Sequence, residues 1–221
     1  MRHIGETIHR GIISPKHKEQ FVGNGFQSKV WGQRQPFASE RKPVVFKTAT
    51  LAWRISCLAT GDPNFLEKRN KMSLELVSKY FPNHLVPSRF RQIKPNSLSL
   101  LVQERIVSPV ELSPQNNPSP EVLQSLAEFA AASYRMYQET GYVLDLLGSG
   151  ILHGMPKKIR ENPDYWELPN LFILDGNRVG VMDICLLQMK NPTNIMDKMA
   201  KAIYRPQILQ IQKRLGLKFQ D

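Results

Sequence analysis

The chain has 221 residues, a formal net charge of +11 and an apolar fraction of 41%. This apolar content is typical of a globular protein with a sizeable core, so the composition excludes a disordered chain. No run of 18 apolar residues occurs, and the sequence therefore predicts no membrane-spanning helix. Because the first residues lack the apolar segment of a secretion signal, we expect a cytoplasmic protein.

The positive charge is spread along the whole chain, which is typical of a solvated basic surface. Such a field attracts an anionic ligand or an anionic membrane surface without specifying either. We do not expect a nucleic acid partner, since the sequence has no zinc or helix-turn-helix signature. Its aromatic residues are also not interleaved with basic ones as in a stacking platform.

Residues 1–20 contain few apolar groups and read as an irregular lead-in. Residues 21–31 then favour a strand, a turn and a second strand, with Gly23 and Gly25 near the tip. Glycines in such a turn let backbone N–H groups approach an anion, although an ordinary hairpin would need them equally.

The β-branched and aromatic run at residues 43–49 predicts a third strand, which carries Lys47. This lysine follows the glycine turn at a distance that would let it reach phosphates beneath that turn. The simpler interpretation is a solvated lysine.

Residues 64–81 have the apolar spacing of an amphipathic helix. Glu67, Lys71 and Glu75 recur every four residues and so share one face. This face is solvated unless one of the two glutamates turns inward to pair with Lys47.

Residues 97–107 predict a strand that runs into a connection, and Ser108–Pro120 is a Pro-, Asn- and Ser-rich linker. Glu121–Thr140 then predicts an amphipathic helix that ends at Gly141. Directly after it, Asp145 is embedded among apolar residues. An Asp in this position is either a turn-former or a catalytic carboxylate.

The most specific pattern lies at residues 168–187, where two apolar runs flank Asp175-Gly176-Asn177. Asp-Gly favours a tight β-hairpin, because such turns need positive φ angles. Antiparallel pairing would bring Asn170 and Asp183 to the same end of the hairpin. Their oxygens suit Mg²⁺ held against phosphates, although a hairpin with a polar residue at each end is the simpler alternative.

Taken in order, these motifs resemble the protein-kinase-like fold over roughly residues 21–190, and in particular atypical bacterial or lipopolysaccharide-type kinases. The resemblance implies an α+β, two-lobed fold with an antiparallel N-terminal sheet and a reduced helical C-terminal lobe. The lobes would be residues 1–107 and 121–221, joined by the linker 108–120.

The resemblance also implies a nucleotide site. Gly23 and Gly25 would lie over the phosphates of ATP. Lys47 would contact the α- and β-phosphates and pair with Glu75, with Glu67 as the alternative partner.

On the same grounds, Glu104 and Ile106 would lie at the adenine-binding connection. Asp145 would be the catalytic-loop carboxylate, and Asn170 and Asp183 would hold Mg²⁺. The implied activity is an ATP- and Mg²⁺-dependent phosphotransferase whose hydroxyl acceptor the sequence does not identify.

Two alternatives stay open. Ser28 replaces the third glycine of the protein-kinase loop, Val143-Leu144 precede Asp145 in place of His-Arg, and Ile184-Cys185 follow Asp183 in place of Phe-Gly. These differences suit a catalytically inactive, pseudokinase-like nucleotide-binding or scaffold protein. The net charge motivates a second alternative, a basic nucleic-acid-binding protein.

Overall fold

The structure, a computed structural model, has a mixed α+β fold with small antiparallel sheets. It describes residues 19–24, 28–33, 44–49, 65–91, 100–106, 110–112, 117–146, 157–158, 161–162, 168–192, 195–198 and 200–215. By its internal contacts the chain divides into two units. The first comprises Met1–Trp53 and Pro87–Ile106, and the second comprises Arg54–Val86 and Val107–Asp221.

The first unit contains a five-stranded antiparallel sheet. Its strands are β1 (Glu19–Asn24), β2 (Ser28–Gln33), β3 (Val44–Ala49), β4 (Ser88–Arg91) and β5 (Leu100–Glu104). Their order across the sheet is β1-β2-β3-β5-β4. Val44, Val45, Leu101 and Val102 are buried, as expected for β-branched and apolar residues on paired central strands. The predicted antiparallel strands around residues 21–31 and 43–49 are confirmed.

The helices whose bounds lie within the described residues belong to the second unit. They are α1 (Phe65–Tyr80), α2 (Pro120–Thr140), α3 (Ile195–Lys198) and α4 (Ala200–Leu215). The predicted helices at 64–81 and 121–140 are confirmed within a residue at each end. By its contacts α1 belongs to this second unit, together with the C-terminal half of the chain. None of the helices in the described ranges is long and apolar enough to cross a membrane.

Helix α2 has a clear signal at each end. Ser119 caps the N-terminus by accepting a hydrogen bond on its side chain from the backbone N–H of Val122, and Pro120 occupies the first helical position. At the other end Gly141 adopts a left-handed φ of 73° and donates its N–H to the carbonyl oxygen of Tyr137. These caps fix where the strand that follows the helix begins.

Two small sheets complete the second unit. Their strands are β6 (Val110–Leu112), β7 (Tyr142–Leu144), β8 (Leu168–Leu174), β9 (Arg178–Val181) and β10 (Leu186–Gln188). One sheet has the order β6-β8-β9, and the other pairs β10 with β7. Strand β6 lies within the segment 108–120 that the sequence predicted as a linker. Its residues pair antiparallel with β8, and Leu112 is buried.

The predicted hairpin is confirmed in β8 and β9, where Leu174 pairs with Arg178 and Leu171 with Val181. Asp175 and Gly176 at the turn have φ angles of 53° and 79°. Positive φ is sterically costly for most residues, and Asp-Gly supplies it at low cost, which explains this sequence at the turn.

The hairpin is fixed to the rest of the second unit by buried polar contacts. Val179 donates its N–H to the Ser125 hydroxyl of α2 at 3.0 Å, and its carbonyl oxygen lies 2.8 Å from His84 Nδ1. Val181 donates its N–H to the His84 carbonyl at 2.8 Å. Because the flanking side chains Val179 and Val181 are fully buried, these bonds replace water in a dry environment.

Candidate functional site

The residues Asp145 and Leu146 directly follow β7, and each of their four backbone polar groups has a partner. Asp145 donates its N–H to the Cys185 carbonyl at 3.0 Å and accepts from Asn170 Nδ2 at 2.6 Å. Leu146 accepts from the Asn170 N–H at 3.2 Å and donates its own N–H to Gln207 Oε1. These bonds hold the Asp145 backbone in one position, since buried polar groups that lost them would not reach water.

Asp183 follows β9 and is partly buried. Its Oδ1 accepts a hydrogen bond at 3.2 Å from the N–H of Cys185, two residues later. Its Oδ2 makes no hydrogen bond with the part of the chain that the structure describes. Cys185 thus bonds both acidic residues through its backbone, because its carbonyl accepts from Asp145 and its N–H donates to Asp183.

The second unit therefore brings together three residues that the sequence predicted for one site: Asp145, Asn170 and Asp183. Their convergence depends on two pairings. Strand β10 begins three residues after Asp183 and lies antiparallel beside β7. Asp145, after the end of β7, and Asp183, before the start of β10, are therefore at the same end of this strand pair. Asn170 on β8 then bonds to the same stretch of backbone after β7.

The donor set fits a hard cation such as Mg²⁺. The Asn170 amide uses its nitrogen toward the Asp145 carbonyl, so its oxygen is the atom left for a ligand, and Asp183 offers Oδ2. In the described residues, no group of three or more His, Cys, Asp or Glu side chains could hold a metal ion. Mg²⁺ characteristically uses one or two protein groups together with phosphates and water.

Four other predicted residues of the nucleotide site, Gly23, Lys47, Glu104 and Ile106, lie in the first unit, whereas Glu75 and its alternative, Glu67, lie on α1 in the second unit. Lys47 is on β3, opposite Val30 on β2 and Leu101 on β5. Gly23 is on β1, also opposite Val30, where the register shifts after Phe21. The second predicted glycine, Gly25, lies outside the described residues.

Glu104 and Ile106 lie where the chain leaves the sheet of the first unit. Glu104 is the last residue of β5 and donates its N–H to the Pro87 carbonyl at 2.9 Å. Ile106 is the last residue assigned to the first unit. Both residues are partly buried, and their role at an adenine-binding connection stays a prediction.

The predicted face of α1 with two glutamates is solvated. Glu67 pairs with Lys71 at 2.8 Å, one turn along the same helix, and Glu75 is exposed. The pairing of Lys47 with either glutamate stays a prediction.

Sequence reasoning missed a buried ion pair on the opposite face of α1. Arg69 donates to the two carboxylate oxygens of Asp197 at 2.5 and 2.8 Å, and the residues are 6% and 2% exposed. Burial alone would lower the pKa of the Arg69 guanidinium, but the hydrogen bonds and charge of Asp197 outweigh it and raise that pKa above its ordinary value.

Sequence reasoning also missed Gln207, which is 2% exposed on α4 and accepts from Leu146. One signal could have found both residues. Arg69 lies four residues after Phe65 and eight before Val77, and Gln207 lies four before Ile211, so each polar residue occupies the buried face of its helix. A polar side chain at a buried position needs a partner, although the pattern does not name it.

Comparison with protein-family models and with curated proteins gave no match.

Proposed function

We propose that the chain is an ATP- and Mg²⁺-dependent phosphotransferase with a two-lobed kinase-like fold. The observation that carries the proposal is the direct bonding of the Asp145, Asn170 and Asp183 segments in the second unit. These residues are 13 to 38 positions apart in the sequence, and chain order alone does not explain why they meet.

Each residue has a role that its chemistry supports. Asn170 and Asp183 would hold Mg²⁺, which neutralises negative charge on the phosphate oxygens when bound. Lys47 would contribute a second positive charge from the third strand of the antiparallel sheet, the position that the catalytic lysine has in protein kinases. Asp145 would orient the acceptor hydroxyl and take its proton as the γ-phosphoryl group passes from ATP to that oxygen, leaving ADP and a phosphate ester.

The acceptor carries an alcohol group in this proposal. The net charge of +11 favours an anionic acceptor or one presented at an anionic membrane surface. The proposal includes a cytoplasmic location, where ATP and Mg²⁺ are available.

The test is thermal unfolding of the purified chain with ATP alone, Mg²⁺ alone and both together. A ligand at a hundred times its dissociation constant stabilises a protein by about 2.7 kcal/mol, which a melting curve resolves. We expect stabilisation by ATP with Mg²⁺ in the wild type and its loss in Asp183→Asn. Absence of any shift in the wild type overturns the proposal.

Asp175→Asn is the matched control for this experiment. It removes a carboxylate from the same hairpin at the exposed turn, where the asparagine side chain tolerates positive φ. We expect Asp175→Asn to respond to ATP and Mg²⁺ as the wild type does. Transfer of labelled γ-phosphate to added alcohols or to the chain itself then measures activity.

One observation favours a second candidate, a pseudokinase-like protein that binds nucleotide without transferring phosphate. Asp145 is only 4% exposed, whereas a general base must reach the acceptor hydroxyl. Consumption of ATP by the wild type distinguishes the two candidates. The second candidate predicts stabilisation by ATP with Mg²⁺ in both the wild type and Asp145→Asn, but no consumption of ATP by either.

A further inference from the structure

The guanidinium of Arg69 joins helix α1 to strand β10 as well as to Asp197. Its Nη2 donates to the Leu186 carbonyl oxygen at 2.5 Å, in addition to the two bonds to the Asp197 carboxylate. The planar guanidinium suits this arrangement, because it presents several donors in a fixed geometry. A lysine could keep the charge but not all three bonds.

The Asp197 carboxylate binds the same strand. Its Oδ1 accepts from the Gln188 N–H at 2.8 Å. The opposite edge of β10 faces β7, where the Cys185 carbonyl accepts from Asp145 and the Met189 N–H donates to Gly141. The ion pair therefore bonds two backbone groups, the Leu186 carbonyl and the Gln188 N–H, on the edge of β10 that faces away from β7.

Strand β10 is connected to both acids of the candidate site. Asp183 lies three residues before β10, and Asp145 directly follows β7, the partner strand. Cys185, adjacent to β10, bonds to both of them through its backbone. A shift of β10 along or away from β7 would move Asp183 relative to Asp145.

We infer that Arg69 and Asp197 are positioning residues for the proposed magnesium site, and that they couple helix α1 to Asp145 and Asp183. The part of this inference that concerns Mg²⁺ binding rests on the proposed function. Stability alone is a poor reason for such a pair, because well-packed apolar residues of similar size often replace a buried ion pair without loss of stability. Fixing the register of β10 is a better reason for the pair, because apolar side chains cannot bond to the backbone of that strand.

The test compares the wild type with the double variant Arg69→Met/Asp197→Leu. Replacing both charges avoids leaving one of them buried alone, which is the strongly destabilising case. Arg69→Lys is the second variant, since it keeps the positive charge but removes the planar guanidinium and its several donors. Lys71→Met is the matched control, because it breaks an exposed ion pair on the same helix.

Two readouts are needed. Amide hydrogen exchange of peptides covering residues 142–146 and 183–190, relative to those covering 171–181, reports the position of β10. Calorimetric titration with Mg²⁺ at fixed ATP reports the metal affinity. We expect selectively faster exchange in both variants and Mg²⁺ affinity about tenfold weaker, as is usual when groups that orient metal ligands are removed, with neither change in Lys71→Met.

The inference fails if either folded variant keeps both the exchange rates and the Mg²⁺ affinity of the wild type, or if exchange rises while Mg²⁺ affinity is unchanged. A wild type that binds no ATP with Mg²⁺ instead overturns the proposed function. In that case the amide exchange rates alone decide whether the ion pair positions the two acids: selectively faster exchange in both variants supports this role, and unchanged exchange contradicts it.

Discussion

Asn170 Nδ2 donates a hydrogen bond at 2.6 Å to the backbone carbonyl oxygen of Asp145, which lies 25 positions earlier in the chain. The same asparagine donates its backbone N–H to Leu146. A residue predicted as a metal ligand is thus also the residue that fixes the backbone of the predicted catalytic acid. Substitution of Asn170 should therefore affect stability as well as ligand binding.

We expect Asn170→Ala to lower the free energy of unfolding by about 1–3 kcal/mol, because the buried Asp145 carbonyl would lose its donor. Urea denaturation measures the change. Asn177→Ala, in the exposed hairpin turn, is the control and should change stability by less than about 0.5 kcal/mol. Equal effects of the two substitutions would contradict the role given to the Asn170 amide.

Gln207→Leu should also destabilise the chain by about 1–3 kcal/mol, since the buried Leu146 N–H would be left without its acceptor. Leucine has a similar size and a comparable helix propensity, so a loss of packing or of helix formation would not explain the result. Gln138→Leu on the exposed face of α2 is the matched control. Chemical denaturation of the two variants in parallel tests the prediction, which fails if Gln207→Leu is as stable as the wild type.

Glu139 should titrate at a lower pH than an ordinary glutamate. The Tyr80 hydroxyl donates to its carboxylate, and this hydrogen bond, together with the weaker attraction of Lys79, lowers the pKa of Glu139. Because the folded-state pKa lies below the unfolded one, the stabilisation is fully present above the unfolded pKa of about 4.3. It is lost as the pH falls through the lower folded value.

The side-chain carboxyl signal of Glu139, followed by NMR titration, measures this pKa directly. Tyr80→Phe should raise it toward the ordinary glutamate value, and the stability difference between this variant and the wild type should diminish at acid pH. Tyr134→Phe, an exposed tyrosine on the same helix as Glu139, should leave the titration unchanged. Identical midpoints in the wild type and Tyr80→Phe would rule out the hydrogen bond as the cause.

Gly141→Ala should be more destabilising than Gly176→Ala, although both glycines have positive φ. Each alanine would bear the backbone strain, of about 1–2 kcal/mol. At Gly141 a Cβ would also lie 2.8 Å from Gln188 Oε1 and 2.9 Å from Lys190 Cβ, whereas at Gly176 it would meet nothing within 4 Å. The melting temperatures of the two variants measure the difference, and a larger drop in Gly176→Ala would contradict the prediction.

Each feature that the sequence predicted well has its sequence signal within a short stretch of the chain. The Asp175-Gly176 turn defines its hairpin locally, and Gly141 marks the C-terminal end of α2. Antiparallel pairing of β8 with β9 then places Asn170 and Asp183 at the same end of the hairpin. Local turn and cap chemistry was sufficient for these elements.

The features that the sequence did not predict depend on contacts between distant residues. Arg69 and Asp197 are 128 positions apart, and neither belongs to a motif that names the other. Strand β10 has only three residues and no alternation of polar and apolar side chains, so its pairing with β7 has no local signature. Similarly, β6 consists of three residues in a Pro- and Ser-rich segment and is defined by its pairing with β8.

The bond between the Asn170 N–H and the Leu146 carbonyl has a consequence for how this part of the chain can vary in length. The chain departs at Leu146 and returns to the same point at Asn170, so the intervening residues form an excursion with adjacent ends. Doubling the length of such an excursion costs only about 0.6 kcal/mol of closure entropy. A change in the number of residues between Leu146 and Asn170 therefore costs little closure entropy, while this bond keeps the two residues together.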